Sequence, residues 1–262
     1  MVIIFTDDQG YEDVGVFGAK GFETPNLDKM AAGGMQFMRG MANNPVCSPT
    51  RATYLTGLIP SQHGIHSFLD GKYMMGDQAY YALEEFETLP EILHSEGYVC
   101  GLSGKWHLGD CYPFRPEDRG FQHCVYHQAG GVGQAPDYWG NDYFDDTYIV
   151  NGKHQRFEGF CTDVWFDEGM KFIKANKDKP FFAYLSFYSV HTPLMGRPDL
   201  VKKYRARSKK INGDAFADEE QVLGDAPRKV RILQKHAVYA AMVEAMEEAV
   251  GKVLKQLDAS GV

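Results

Sequence analysis

The side chains best suited to chemistry in this sequence are Asp7, Asp8, Cys47, Arg51, Lys105, His107 and His191. Asp7 and Asp8 stand together in "TDDQG". Adjacent carboxylates repel, and a hard cation such as Ca²⁺ or Mg²⁺ is a common reason to pair them; a solvated turn is the alternative. Cys47 lies in "NNPVCSPTRATYLTG", directly before Ser-Pro-Thr-Arg and what reads as a helix start. On one reading Ser48 caps that helix, Pro49 takes its first position and Cys47 is only a small apolar residue. On the other, the unpaired N–H groups of the first turn, together with Arg51, lower the thiol's pKa and hold an anion. "GKWHLG" supplies Lys105 and His107, and "SVHTPL" supplies His191. Each could be a surface residue if read alone.

The elements that must carry these residues place them together. Val2 to Phe5 is a short apolar, β-branched run that reads as a buried strand. "YVCGLSG" and "PFFAYLSFY" read as two more. Helices are expected from Thr24-Pro25 to Gly33-Gly34, from Ser48-Pro49, over "TLPEILHSEG" up to Gly97, over Thr162 to Lys174, and from Arg228 to the end, where apolar residues recur at three- and four-residue steps. Strands alternating with helices predict an α/β fold with a largely parallel sheet flanked by helices. The segment from Arg115 to Gly159 has weak periodicity and reads as a long decorated loop. In open α/β sheets ligands gather at the carboxyl ends of the strands, and each predicted strand is followed there by one group of the candidate residues.

Composition narrows the function classes. A chain of 262 residues can bury one large core, and the default is a single α/β domain. A formal charge of −8 argues against a broad nucleic-acid surface, so an anion must be bound by a local cluster. No apolar run approaches a membrane span, and the opening "VIIF" lacks the flanks of a signal peptide, which leaves a cytoplasmic protein or one whose leader has been removed. Five cysteines, Cys47, Cys100, Cys111, Cys124 and Cys161, indicate neither a zinc cage nor a full disulfide framework.

Several motifs in order give a specific resemblance. "CSPTR" followed by "LTG", then "GYVCGLSGKWHLG", "TDDQG", "PFFAYLSFYSVHTPL" and "YAAMVEAMEEAVGKVLKQLDASG" resemble the type I sulfatases of the alkaline phosphatase superfamily. Tyr54 and Cys100 depart from the usual residues of the two signatures, neither at a catalytic position. The resemblance implies an N-terminal portion of a sulfatase catalytic domain over residues 1–262. It also implies that the strand with an Asp-Asn pair for the metal, and a later lysine for sulfate, would come after Val262. The 262 residues alone are therefore expected not to be a competent sulfatase, with the cation held weakly by Asp7, Asp8 and residue 47.

By the same resemblance Cys47 is converted to Cα-formylglycine by a formylglycine-generating or anaerobic sulfatase-maturing enzyme. The hydrated aldehyde, on Ca²⁺ or Mg²⁺ and near Arg51, attacks sulfur and displaces the alcohol. His107 acts as the base that expels sulfate, Lys105 bridges the diol and a sulfate oxygen, and His191 contacts sulfate and helps protonate the leaving oxygen. The expected substrate is an aryl sulfate or sulfated carbohydrate, with Tyr138, Trp139 and Tyr143 either stacking on sugar rings or packing their loop. A periplasmic or secreted location is expected from the family. A phosphonate monoester or phosphodiester hydrolase, and a non-catalytic sulfated-glycan-binding homologue, stay open as alternatives.

Overall fold

The computed structural model describes residues 1–69, 83–218 and 229–262. Its main sheet has six strands: β1 (Val2–Phe5), β2 (Val99–Lys105), β3 (His123–His127), β4 (Thr147–Val150), β5 (Lys153–Arg156) and β6 (Phe181–Ser186). Their order is β1-β6-β2-β3-β4-β5. The first four of these in space run parallel, and β4 and β5 are antiparallel additions. A strand covered on both faces reads as a continuous apolar run rather than an alternating one, and β6 is buried at every position. The three strands anticipated from sequence are therefore β1, β2 and β6, neighbours with their carboxyl ends at one edge.

Helices α2 (Cys47–Thr56), α3 (Pro60–His63), α4 (Leu89–Ser95) and α5 (Cys161–Asn176) belong with this sheet. One core joins α2, through Ala52 and Leu55, to Cys100, Leu102, Trp106, Phe121, Phe182 and Tyr184. On α5, Val164 and Ile173 are buried as the helical spacing predicts, and Met170 is partly so.

The second compact unit comprises residues 9–36 and 192–251. It contains α1 (Pro25–Gly33), α6 (Pro198–Ser208), the strand pair β7 (Phe216–Asp218) and β8 (Lys229–Arg231), and most of α7 (Ala237–Ser260). The buried Glu247 carboxylate accepts the backbone N–H groups of Asn26 and Leu27 at the start of α1. A carboxylate there satisfies donors that the helix cannot.

Three expectations need correction. Residues 115–159 are not one long loop but contain β3, β4 and β5. Asn151 and Gly152, with φ of 47° and 79°, form the two-residue turn between β4 and β5, an Asn-Gly hairpin signal that weak periodicity masked. The long helix begins at Ala237 rather than Arg228: Lys229–Arg231 pairs with Phe216–Asp218, and Arg228 lies outside the described residues. Helix α2 starts at Cys47 after Val46, so Ser48 is not its cap. The Ser48 hydroxyl instead accepts the Leu69 N–H at 3.1 Å.

Candidate active site

Every predicted site residue falls at the carboxyl edge of β1, β6 and β2 or in the first half of α2. Asp7 leaves β1 and is tied to the exit of β6 by two backbone hydrogen bonds, Asp7 N to Ser189 O at 3.1 Å and Val190 N to Asp7 O at 2.7 Å. Its buried carboxylate forms ion pairs with Lys105 Nζ and, at 3.4 Å, with Arg51 Nη2. Burial alone would raise the Asp7 pKa; the adjacent Arg51 and Lys105 charges more than reverse this, and the group titrates below its usual range.

Arg51 is fully buried although charged. Its Nη1 donates to the Lys105 carbonyl at 2.9 Å and to Ser186 Oγ at 2.5 Å, and the guanidinium lies over the Phe5 ring. Lys105 can turn inward because the chain before it takes a conformation reserved for glycine. Gly104 has φ +112°, and a Cβ there would stand 1.8 Å from the Ser186 carbonyl oxygen. Beyond their ion pairs with Asp7, Arg51 Nη2 and Lys105 Nζ have no hydrogen-bond partner, and Arg51 Nε has none either. Two buried cations against one carboxylate leave an excess positive charge with unused donors, which is the chemistry of an anion receptor.

His107 faces Cys47. Its Nδ1 lies 3.1 Å from Cys47 Sγ and its Nε2 lies 3.1 Å from the Leu69 carbonyl oxygen. A carbonyl can only accept, so Nε2 carries the proton and the Nδ1 lone pair points at residue 47. Burial, aided by the Lys105 charge, pushes the His107 pKa down to about 3. The ring is therefore neutral at physiological pH, and its Nδ1 lone pair is the acceptor that faces residue 47.

Asp8 and His191 complete the edge. Asp8 has φ +56° and a side chain 55 % exposed, with Oδ2 3.8 Å from His191 Nε2. Asp8 thus faces solvent, whereas Asp7 is buried. The Asp7 charge is offset by Arg51 and Lys105. As oxygen donors at a strand end the two carboxylates fit a hard cation, although Asp7 Oδ2 here faces Lys105 Nζ and Arg51 Nη2 instead. Among the described residues no group of three His, Cys, Asp or Glu side chains is placed to hold a metal.

Residues not anticipated as part of the site are Ser186, Tyr188 and His127. Tyr188 Oη is 2.8 Å from His191 Nδ1, and Lys105 Nζ lies 5.2 Å over the Tyr188 ring. Position was the available signal: Ser186 ends β6, and Tyr188 follows it in the stretch leading to His191. The three loop aromatics do not act as one cluster. Tyr143 is fully buried and donates to the His191 carbonyl at 3.1 Å, whereas Trp139 is 96 % exposed. All five cysteines are free thiols.

The chain matches the Sulfatase family over residues 1–262. It is 31 % identical over 245 residues to the dog (Canis lupus familiaris) N-acetylgalactosamine-6-sulfatase, covering 86 % of this chain and 45 % of that protein. It is 26 % identical over 292 residues to the arylsulfatase of Klebsiella aerogenes, covering all of this chain and 62 % of the relative. The crystal structure of Ps i-CgsB in complex with k-i-k-neocarrahexaose superposes with a TM-score of 0.79 at 26 % identity, over 99 % of this chain and 55 % of that one. The chain thus spans about half the length of the N-acetylgalactosamine-6-sulfatases it resembles. Among the described residues no helix is long and apolar enough to cross a membrane.

Proposed function

Since this chain belongs to the sulfatase family, we propose that it hydrolyses sulfate esters, with a sulfated carbohydrate as the substrate class and Cys47 as the site of conversion to formylglycine. The observation that carries this is the buried Asp7, Arg51 and Lys105 group beside the Cys47–His107 pair: excess positive charge and unused donors next to a modifiable nucleophile position. The carbohydrate preference is supported by the N-acetylgalactosamine-6-sulfatase relatives and by the likeness to Ps i-CgsB, crystallised in complex with k-i-k-neocarrahexaose.

Arg51 and Lys105 bind sulfate oxygens and offset their charge in a site that admits little water. His107, neutral and with Nδ1 toward residue 47, receives the proton released there as the sulfate departs. His191, on the other side, contacts sulfate and supplies a proton to the leaving oxygen, a role worth roughly 10²–10⁴ in rate. A formylglycine at 47, made by a formylglycine-generating or anaerobic maturing enzyme, supplies an aldehyde-derived oxygen nucleophile. Asp7 and Asp8, together with that oxygen, would hold a divalent cation, Ca²⁺ or Mg²⁺, which supplies Lewis acidity.

The test joins mass analysis to turnover. Peptide mass spectrometry of protein co-produced with a formylglycine-generating enzyme should find aldehyde oxygen in place of sulfur at Cys47, and the converted intact gene product, rather than residues 1–262 alone, should favour an aryl sulfate over an aryl phosphate diester. Cys47→Ala should abolish turnover and leave the unfolding midpoint unchanged, because the half-buried side chain's one polar contact is with His107. Full activity with Cys47 unmodified, or preference for the phosphate diester, would overturn the proposal.

A further inference from the structure

The loop that walls the site also carries the aromatic side chain most exposed among the described residues. Gly130 packs against the His107 ring and Gly131 against Tyr188 Oη, where an added Cβ would come within 2.5 Å of either. Two residues on, a span of at most about 7 Å, the Gly133 N–H donates to the Asp137 carboxylate at 2.8 Å. The chain then makes a four-residue turn from Tyr138 to Asn141. Asn141 N donates to Tyr138 O at 3.2 Å, and Gly140 takes the left-handed third position at φ +94°. The buried Asn141 side chain fastens this turn to β4: Nδ2 donates to Thr147 O at 2.8 Å and to Asp137 at 3.1 Å, and Oδ1 accepts the Thr147 N–H at 2.9 Å. Trp139, at the tip, is left in solvent. A bulky ring held out by a braced turn offers contact area at small entropic cost.

The surface beside the turn is basic. Tyr138 packs on His154 of β5, with ring centroids 5.2 Å apart. Strand β5 ends the sheet and is exposed at every position. Side chains alternate along a strand, so Arg156 shares the His154 face and Lys153 lies on the other. Arg156 is also the register partner of Thr147, the residue that Asn141 holds. Among the described residues neither Arg156 nor Lys153 forms an ion pair. The acids of the same loop are instead turned onto backbone N–H groups: Asp137 on Gly133, Asp142 on Phe144, Asp145 on Gly159, and Asp146 on Asp142 and Tyr143; Glu158 lies beyond the end of β5. In a chain of net charge −8, an exposed cation without a counter-charge beside exposed aromatic rings suits a ligand that is both anionic and ring-shaped. We propose that Tyr138, Trp139, His154 and Arg156 form a second carbohydrate surface. On it Trp139 stacks on a sugar ring and Arg156 pairs with a sulfate, while another unit of the same glycan occupies the site at residue 47; the ligand class rests on the sulfated-carbohydrate reading above.

The chain has three tryptophans, and Trp106 and Trp165 are buried, so fluorescence quenching by acrylamide reads Trp139. Titrating the unconverted 262-residue protein with k-i-k-neocarrahexaose should shift the emission to the blue and protect it from the quencher. Calorimetry should give an affinity that falls as ionic strength rises. Trp139→Ala should weaken binding by about tenfold, as loss of one strong contact does, and Arg156→Gln by a similar factor. Lys153→Gln, which removes the same charge from the opposite face, should change it by less than about twofold. The desulfated hexasaccharide should bind about tenfold more weakly than the sulfated one. An unresponsive Trp139, equal losses in Arg156→Gln and Lys153→Gln, or equal affinity for the desulfated sugar overturns the proposal. So does a Trp139 already shielded in the free protein by self-association. Because binding is read on unconverted protein, an active sulfatase with an unresponsive Trp139 refutes the surface alone. A responding Trp139 in a protein that never turns over sulfate esters refutes the sulfatase reading alone.

Discussion

Replacing Asp7 by Asn should destabilise the protein more than any other single neutralisation in the site. The substitution keeps size and shape but leaves Arg51 and Lys105 as two buried cations with no counter-charge between them. Breaking a buried pair by removing one partner costs about 3–5 kcal/mol, because desolvation of the remaining charge is no longer offset. With about 2–4 °C of midpoint per kcal/mol in proteins somewhat smaller than this one, the melting midpoint should fall by about 6–20 °C. The reciprocal variant, Lys105→Met, should cost less, since Asp7 keeps Arg51 at 3.4 Å. Calorimetry or circular dichroism with excess chelator separates this effect from loss of a bound cation. An Asp7→Asn midpoint within about 2 °C of wild type, or a larger loss in Lys105→Met, would show that the three groups are not coupled as described.

Two further outcomes can be checked. Gly104→Ala should yield no folded protein, because a Cβ would overlap the Ser186 carbonyl at a φ of +112°; soluble protein of wild-type stability would contradict this. Asp110 accepts the Ala129 N–H through both carboxylate oxygens, and burial pushes its pKa up to about 6 from 3.8. The folded state then binds that proton more tightly than the unfolded state, so this group makes stability fall as pH rises from about 3.8 to about 6. Asp110→Asn, which keeps an oxygen for Ala129, should remove that slope and be more stable above pH ~6 by up to about 3 kcal/mol. Urea unfolding at a series of pH values reads the difference, and parallel curves for the two proteins would count against it.

The candidate site was legible in sequence to the extent that it depends on chain order. Asp7, Lys105 and His191 each follow an apolar run, so the rule that ligands gather at strand ends brings them together without knowledge of the strand order. What could not be read is who pairs with whom. Asp8 and Asp7 look alike as neighbours in "DDQG", yet one is 55 % exposed and the other is buried against two cations, a difference made by residues 51 and 105. Tyr143 and Trp139 likewise share a loop and a residue class, but only tertiary packing sends Tyr143 beneath His191 and leaves Trp139 in solvent. Within the fold, the lost strands β3 to β5 are short, and His127 is a polar residue buried in β3, so hydrophobic periodicity carries little of their signal.

The position of β6 between β1 and β2 has a consequence in time. Val2 and Ala183, 181 positions apart, are partners in the register of β1 with β6. At ~5–20 residues per second, ribosomal synthesis takes about 10–40 s to cover that interval. Throughout it β1 and β2 lack their shared neighbour, and Asp7 has no Ser189 carbonyl or Val190 N–H to fix it. Long-range parallel pairing of this kind is slow and leaves apolar strands open to wrong partners. The anion receptor therefore cannot be completed as its residues emerge: Asp7, Arg51, Lys105 and His107 all precede β6 in the chain, and Asp7 and Arg51 gain their Ser189, Val190 and Ser186 partners only when that strand enters between β1 and β2.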